Sequence, residues 1–141
     1  MEPVRLDTDG LPFSSWRKFQ MWGYVVSHGQ LLLRANKTSD PPSTTVEILF
    51  KDTRFVCLPG VMEGLTVRRG DKEIVQRHLS DLSPLELPYG VSVFEVGGQG
   101  WSGFVVAGSI WMHEDDSEYY HHSKLGLILP GTSPFGELPD S

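Results

Sequence analysis

Phe19-Gln20-Met21-Trp22-Gly23-Tyr24-Val25-Val26, then Ser27-His28-Gly29-Gln30, then Leu31-Leu32-Leu33: the reading of this stretch decides the fold class. The first arm is aromatic and β-branched, which suits a strand. The second is a short apolar run of strand length. A two-residue turn between them needs positive φ, which glycine supplies freely and histidine tolerates better than most residues. A hairpin centred on His28-Gly29 is therefore predicted.

Outward from it the same signals recur. Asn36 to Thr44, with Pro41 and Pro42, reads as a loop. Val46, Ile48 and Phe50 alternate with Glu47 and Lys51, a strand with one wet face, although Leu49 spoils the alternation. Arg54 to Leu58 and Leu65 to Arg68 read as further strands, stopped by Pro59-Gly60 and Gly70. Asp71 is a plausible N-cap for a helix over 71–82, with Ile74, Val75, His78, Leu79 and Leu82 on one face. Val91 to Val96, the turn Gly97-Gly98-Gln99-Gly100, and Phe104 to Met112 form a second hairpin whose apolar second arm belongs inside a sheet. Leu125 to Leu129 supplies a last strand. The fold class expected is mainly β, an antiparallel barrel or sandwich built from hairpins, with one short helix. Residues 1–129 are expected to form one antiparallel β domain, and 130–141, rich in Pro and Gly, a loosely packed tail.

At 141 residues the chain is long enough for one self-sufficient core. The single cysteine, Cys57, excludes an internal disulfide and any multi-thiolate zinc site, and its apolar neighbours predict a buried, unreactive thiol. With neither a signal-peptide pattern nor an apolar run of membrane-spanning length, a cytoplasmic protein that does not engage membranes is expected.

The net charge of −6 is unevenly placed. Residues 11–112 hold nine acids against ten bases, whereas 113–141 hold six acids against Lys124 alone. The only adjacent basic pairs are Arg17-Lys18 and Arg68-Arg69. A nucleic-acid binder needs clustered cations to neutralise phosphates, so a nucleic-acid partner is not expected.

Two strings could carry chemistry. Gly98-Gln99-Gly100-Trp101-Ser102-Gly103 is a literal G-x-G-x-x-G, but Phe104-Val105-Val106 after it continues as a strand where a dinucleotide site needs a helix. With Val105 it also matches a kinase glycine loop, yet the downstream lysine, His-Arg-Asp and Asp-Phe-Gly are missing. The glycines are better read as serving a wide hairpin turn and a bulge. The second string, His113-Glu114-Asp115-Asp116-Ser117-Glu118-Tyr119-Tyr120-His121-His122, concentrates imidazoles and carboxylates. His113, Asp115, His121 and His122 are the candidate ligands for a divalent transition metal. The competing reading, a solvated polar turn or partner surface, is preferred: neighbouring carboxylates repel by only about 1 kcal/mol in water.

Of the four tryptophans, Trp22 and Trp111 lie in strong strands and are expected in the core, whereas Trp101 sits on the glycine turn and suits an interface anchor. With no complete catalytic constellation in view, the leading reading is a non-enzymatic protein-interaction module without a cofactor. Its surface would comprise Trp101, Glu114, Asp115, Asp116 and Glu118, and its partner would be a basic protein, as for an immunity-type protein that neutralises a basic toxin. The alternatives are a metal-dependent enzyme or sensor using the 113–122 cluster, and a small-molecule binder inside a β-barrel.

Overall fold

The structure, a computed structural model, describes residues 3–39, 43–78 and 87–116. In chain order the elements are β1 (Val4–Arg5), α1 (Leu6–Asp9), β2 (Phe13–Val25), β3 (Gln30–Ala35), β4 (Thr45–Lys51), β5 (Phe55–Cys57), β6 (Val61–Arg69), α2 (Lys72–His78), β7 (Ser92–Gly98), β8 (Trp101–Ala107) and β9 (Ser109–Asp115). The strands form one nine-stranded antiparallel sheet in the order β1-β9-β4-β3-β2-β6-β7-β8-β5. It does not close into a ring, so a sandwich-like, curled open sheet is what forms. The curl is visible in the core. Phe50 of β4 and Phe94 of β7 stand with ring centroids 6.0 Å apart, although β3, β2 and β6 separate their strands in sheet order.

The period-2 alternation of strands sorts the side chains. Leu31, Leu33 and Ala35 of β3, Ile48 and Phe50 of β4, and Met62, Leu65 and Val67 of β6 all turn into this interior. Two smaller clusters lie on the outer face. Ile74 and Val75 of α2 cover Val93, Phe104 and Val106. Leu49, the residue that broke the alternation, stacks with Leu32 and Trp111, its register partners on β3 and β9.

The β2–β3 hairpin forms, with a longer turn than expected. Val25 pairs with Gln30, leaving Val26, Ser27, His28 and Gly29 as a 3-10 turn in which His28 and Gly29 take φ of 62° and 52°. The helix starts as read: Asp71 Oδ1 accepts the Glu73 N–H at 3.0 Å. It runs to His78, and the rest of the 71–82 expectation lies outside the described residues, as do the strand at 125–129 and the tail at 130–141. The long arm read from Phe104 to Met112 is broken at Gly108, whose N–H donates to Lys51 O (2.9 Å) and Asp52 O (3.2 Å). That bend lets β8 pair with β5 while β9 pairs with β4.

Four burial expectations are corrected. Glu47 is only 3% exposed, because Arg34 directly opposite compensates its charge. Trp22 is 39% exposed and lies over the Arg34 guanidinium, 5.0 Å away, on the outer face. Trp111 is also on the outer face, between Arg5 (5.6 Å) and Lys51 (5.3 Å). Cys57 is half-buried rather than enclosed, because β5 is an edge strand. No helix among the described residues is long and apolar enough to cross a membrane.

Candidate functional site

The outer face of β2, β6, β7 and β8 carries a row of small residues. Ser14 is opposite Thr66, Thr66 opposite Gly97, and Gly97 opposite Ser102. Ser14 and Thr66 hydroxyls bond at 2.9 Å, and Gly97 contributes no side chain, so the row is a trough across four strands. Larger residues border it. Trp16, from the irregular stretch where β2 shifts register against β6, stands 72% exposed, and Trp101 lies half-buried at the start of β8. Arg68 and Glu95, register partners on β6 and β7, stand one step along. The cleft so enclosed has a volume of about 570 Å³.

Trp101 belongs to β8 rather than to the turn before it. Its Nε1 donates to Glu63 O at 3.4 Å, and its ring packs against the main core. The glycine string makes this possible. A Cβ on Gly98 would fall 2.3 Å from Trp101 Nε1, and one on Gly103 would fall 2.0 Å from Cys57 O, so both are places of close approach. Only Gly100 of the three uses positive φ (72°). The G-x-G-x-x-G string therefore builds a hairpin wall beside β5 and β6.

The trough is polar but lightly charged. Among the described residues neither Arg68 nor Glu95 makes an ion pair, so one cation and one anion face a ligand together with three hydroxyls and two indoles. Such a set can bind by stacking and hydrogen bonding. On the far side of Trp16 a second cleft of about 370 Å³ holds Arg17, Lys18, Lys37 and Glu63.

The first three residues of the acidic run continue a strand, and residues 117–122 lie outside the described residues. His113, Glu114 and Asp115 belong to β9 and pair in register with Glu47, Val46 and Thr45 of β4. His113 is only 6% exposed, with Nδ1 3.6 Å from Asp115 Oδ2. Glu114 Oε2 accepts from Thr44 Oγ1 at 2.6 Å and from Arg17 Nη2 at 3.4 Å. Asp116 is exposed, and its main-chain oxygen accepts from Lys37 Nζ at 3.0 Å. Glu118, His121 and His122 lie outside the described residues. Among the described residues no three His, Cys, Asp or Glu side chains gather as a metal site would require. Among the described residues, Trp101 and Glu114 are linked through β2: Trp16 borders the trough, and the next residue, Arg17, reaches back to Glu114.

Two charged groups were not singled out from sequence. Arg34 and Glu47 approach to 3.7 Å, almost fully enclosed, and burial pushes the Arg34 guanidinium below its ordinary value while Glu47 and Asp115 pull it back. The available signal was an arginine ending the unbroken run Leu31-Leu32-Leu33. Asp7 receives Arg5 Nε and Nη2 (both 3.0 Å) and the Ile110 N–H (3.0 Å), and Arg69 donates to its main-chain oxygen. These bonds pin the N-terminal segment onto β9. Both clusters hold the fold and stand apart from the trough. Compared with protein-family models, curated proteins and solved structures, the chain matches none.

Proposed function

We propose that this chain is a protein-interaction module whose partner docks into the trough between Trp16 and Trp101. The observation that carries this reading is Trp16: a large indole left 72% in solvent beside a packed second indole and a floor of small residues. Exposed aromatic anchors beside such a depression are what interface hot spots are made from. The hydroxyls of Ser15, Thr66 and Ser102 and the charges of Arg68 and Glu95 supply orientation, while stacking supplies most of the affinity. The −6 charge steers the encounter towards a basic partner, an immunity-type pairing with a basic toxin included.

The test uses the full chain as bait, beside its Trp16→Ala variant. A partner retained by the wild type is purified and its Kd measured against both. Truncation of a hot-spot tryptophan is expected to weaken binding by at least about 30-fold, or 2 kcal/mol. A partner bound equally well by the variant would place the interface elsewhere and refute the proposal.

A further inference from the structure

β2 is long enough to serve two neighbours in turn. Its first part, Phe13 to Gln20, pairs with β6, and its last part, Gln20 to Val25, pairs with β3. On the side that β6 has left, backbone bonds among the described residues close the gap only at its two ends. Met21 N–H donates to Gly60 O at 2.9 Å, and Thr53 N–H donates to Gly29 O at 3.0 Å. Between these ties, Trp22 to Val25 have no backbone partner on that side among the described residues.

An open strand edge is normally blunted, because its unpaired N–H and C=O groups template another strand. The other two edges of this sheet are blunted. β1 is two residues long, preceded by Pro3 and ended by Arg5, and β5 is three residues long, between Arg54 and Pro59. The stretch Met21-Trp22-Gly23-Tyr24-Val25-Val26 carries neither charge nor proline. Its surroundings are apolar too. Among the described residues, seven of the ten exposed large apolar side chains lie between residues 21 and 26 or between 55 and 61, the two stretches that flank this opening. Val26 is the most exposed of those seven, at 81%. Concentration of exposed apolar surface at one place marks an interaction site.

We propose that the Trp22–Val25 edge of β2 is a strand-addition site for an extended, uncharged, apolar segment of another protein. The added strand takes its affinity from main-chain hydrogen bonds, and its side chains contact Tyr24, Val26, Phe55 and Val56. Charge selects a partner over a second copy. Two chains of −6 repel one another, whereas a neutral segment, or one carried by a basic protein, meets no such cost. The edge is distinct from the trough, which uses the opposite half of β2 around Ser15 and Trp16.

The probe is a blocked Thr-Val repeat peptide, with a counterpart N-methylated along one edge, titrated into the full chain. Amide hydrogen exchange is expected to slow at Trp22 to Val25, and Val26→Lys and Tyr24→Lys are each expected to weaken binding about tenfold or more. Both side chains are solvent-exposed, so an unchanged melting temperature verifies that the variants fold. The N-methylated peptide is expected not to bind, and Trp16→Ala to leave the wild-type affinity intact. Absent protection at saturating peptide, protection elsewhere, or undiminished binding by both lysine variants would overturn the proposal. A concentration-dependent dimer protecting the same amides without peptide would overturn it in favour of a second copy.

Discussion

Replacing Gly98 by alanine tests how the trough wall is built. The new Cβ would stand 2.3 Å from Trp101 Nε1 and 2.6 Å from the main-chain oxygens of Glu63 and Gly64. Two of these three atoms are backbone, so no rotamer change relieves the clash. Forcing a methyl into a packed site costs about 1–3 kcal/mol. Displacing the indole also forfeits its bond to Glu63 O, worth about 1 kcal/mol. The expected loss is therefore about 2–4 kcal/mol, which for a chain of this size lowers Tm by roughly 5–15 °C. Gly97→Ala is the matched control. Its Cβ would meet nothing closer than Trp101 O at 3.5 Å, an ordinary contact. Because alanine is less flexible than glycine in the unfolded chain, that variant is expected to match or exceed wild-type stability, by up to about 1 kcal/mol. Urea unfolding followed by tryptophan fluorescence and circular dichroism reads both. A Gly98→Ala midpoint equal to wild type, or equal damage in the two variants, would refute this account of the wall.

The remaining predictions concern the charged clusters and the core. Burial pushes the Asp7 carboxyl up, but the Arg5 guanidinium and the Ile110 N–H outweigh it and hold the group below the usual carboxylate range. A depressed folded value means stabilisation that is present above an unfolded carboxylate's pKa of about 3.9 and is lost as pH falls through the folded value. Asp7→Asn is thus expected to cost about 1–3 kcal/mol at neutral pH, with the gap to wild type closing in acid, as measured by urea unfolding across pH. Glu47→Gln leaves the Arg34 charge buried and is expected to cost about 3–5 kcal/mol. An Arg34→Met/Glu47→Met double variant should recover part of that loss, and a double-mutant cycle that adds without recovery would contradict the pairing. Phe94→Ala empties the place where β7 meets β4 and is expected to cost about 3–5 kcal/mol in the same assay.

The hairpins were legible because their information is local. Apolar arms, a glycine-bearing turn and a capping aspartate act over a few residues, and β2–β3, β7–β8 and the start of α2 follow from them. What misled was burial. Alternation marked Glu47 as solvated, since nothing along β4 reveals that Arg34 will stand opposite it. Strong strand character placed Trp22 and Trp111 in the core, yet a sheet has two faces and theirs is the outer one. The trough was the least legible feature. Trp101 was singled out for its glycines, but Ser14, Trp16, Thr66 and Gly97 come together only through pairing of strands far apart in sequence. The start of the acidic run, His113 to Asp115, looked like a loop because its charges are adjacent in sequence, whereas strand pairing sends Glu114 to Thr44 and Arg17 and encloses His113.

The most direct test of the docking claim is the set of four indole N–H resonances of the full chain, followed during titration with a partner isolated through the wild-type bait. Trp16 and Trp101 are expected to shift together while Trp111, packed on Leu32 and Leu49, stays fixed. Shifts confined to Trp111, or a saturated complex in which Trp16 does not move, would contradict it.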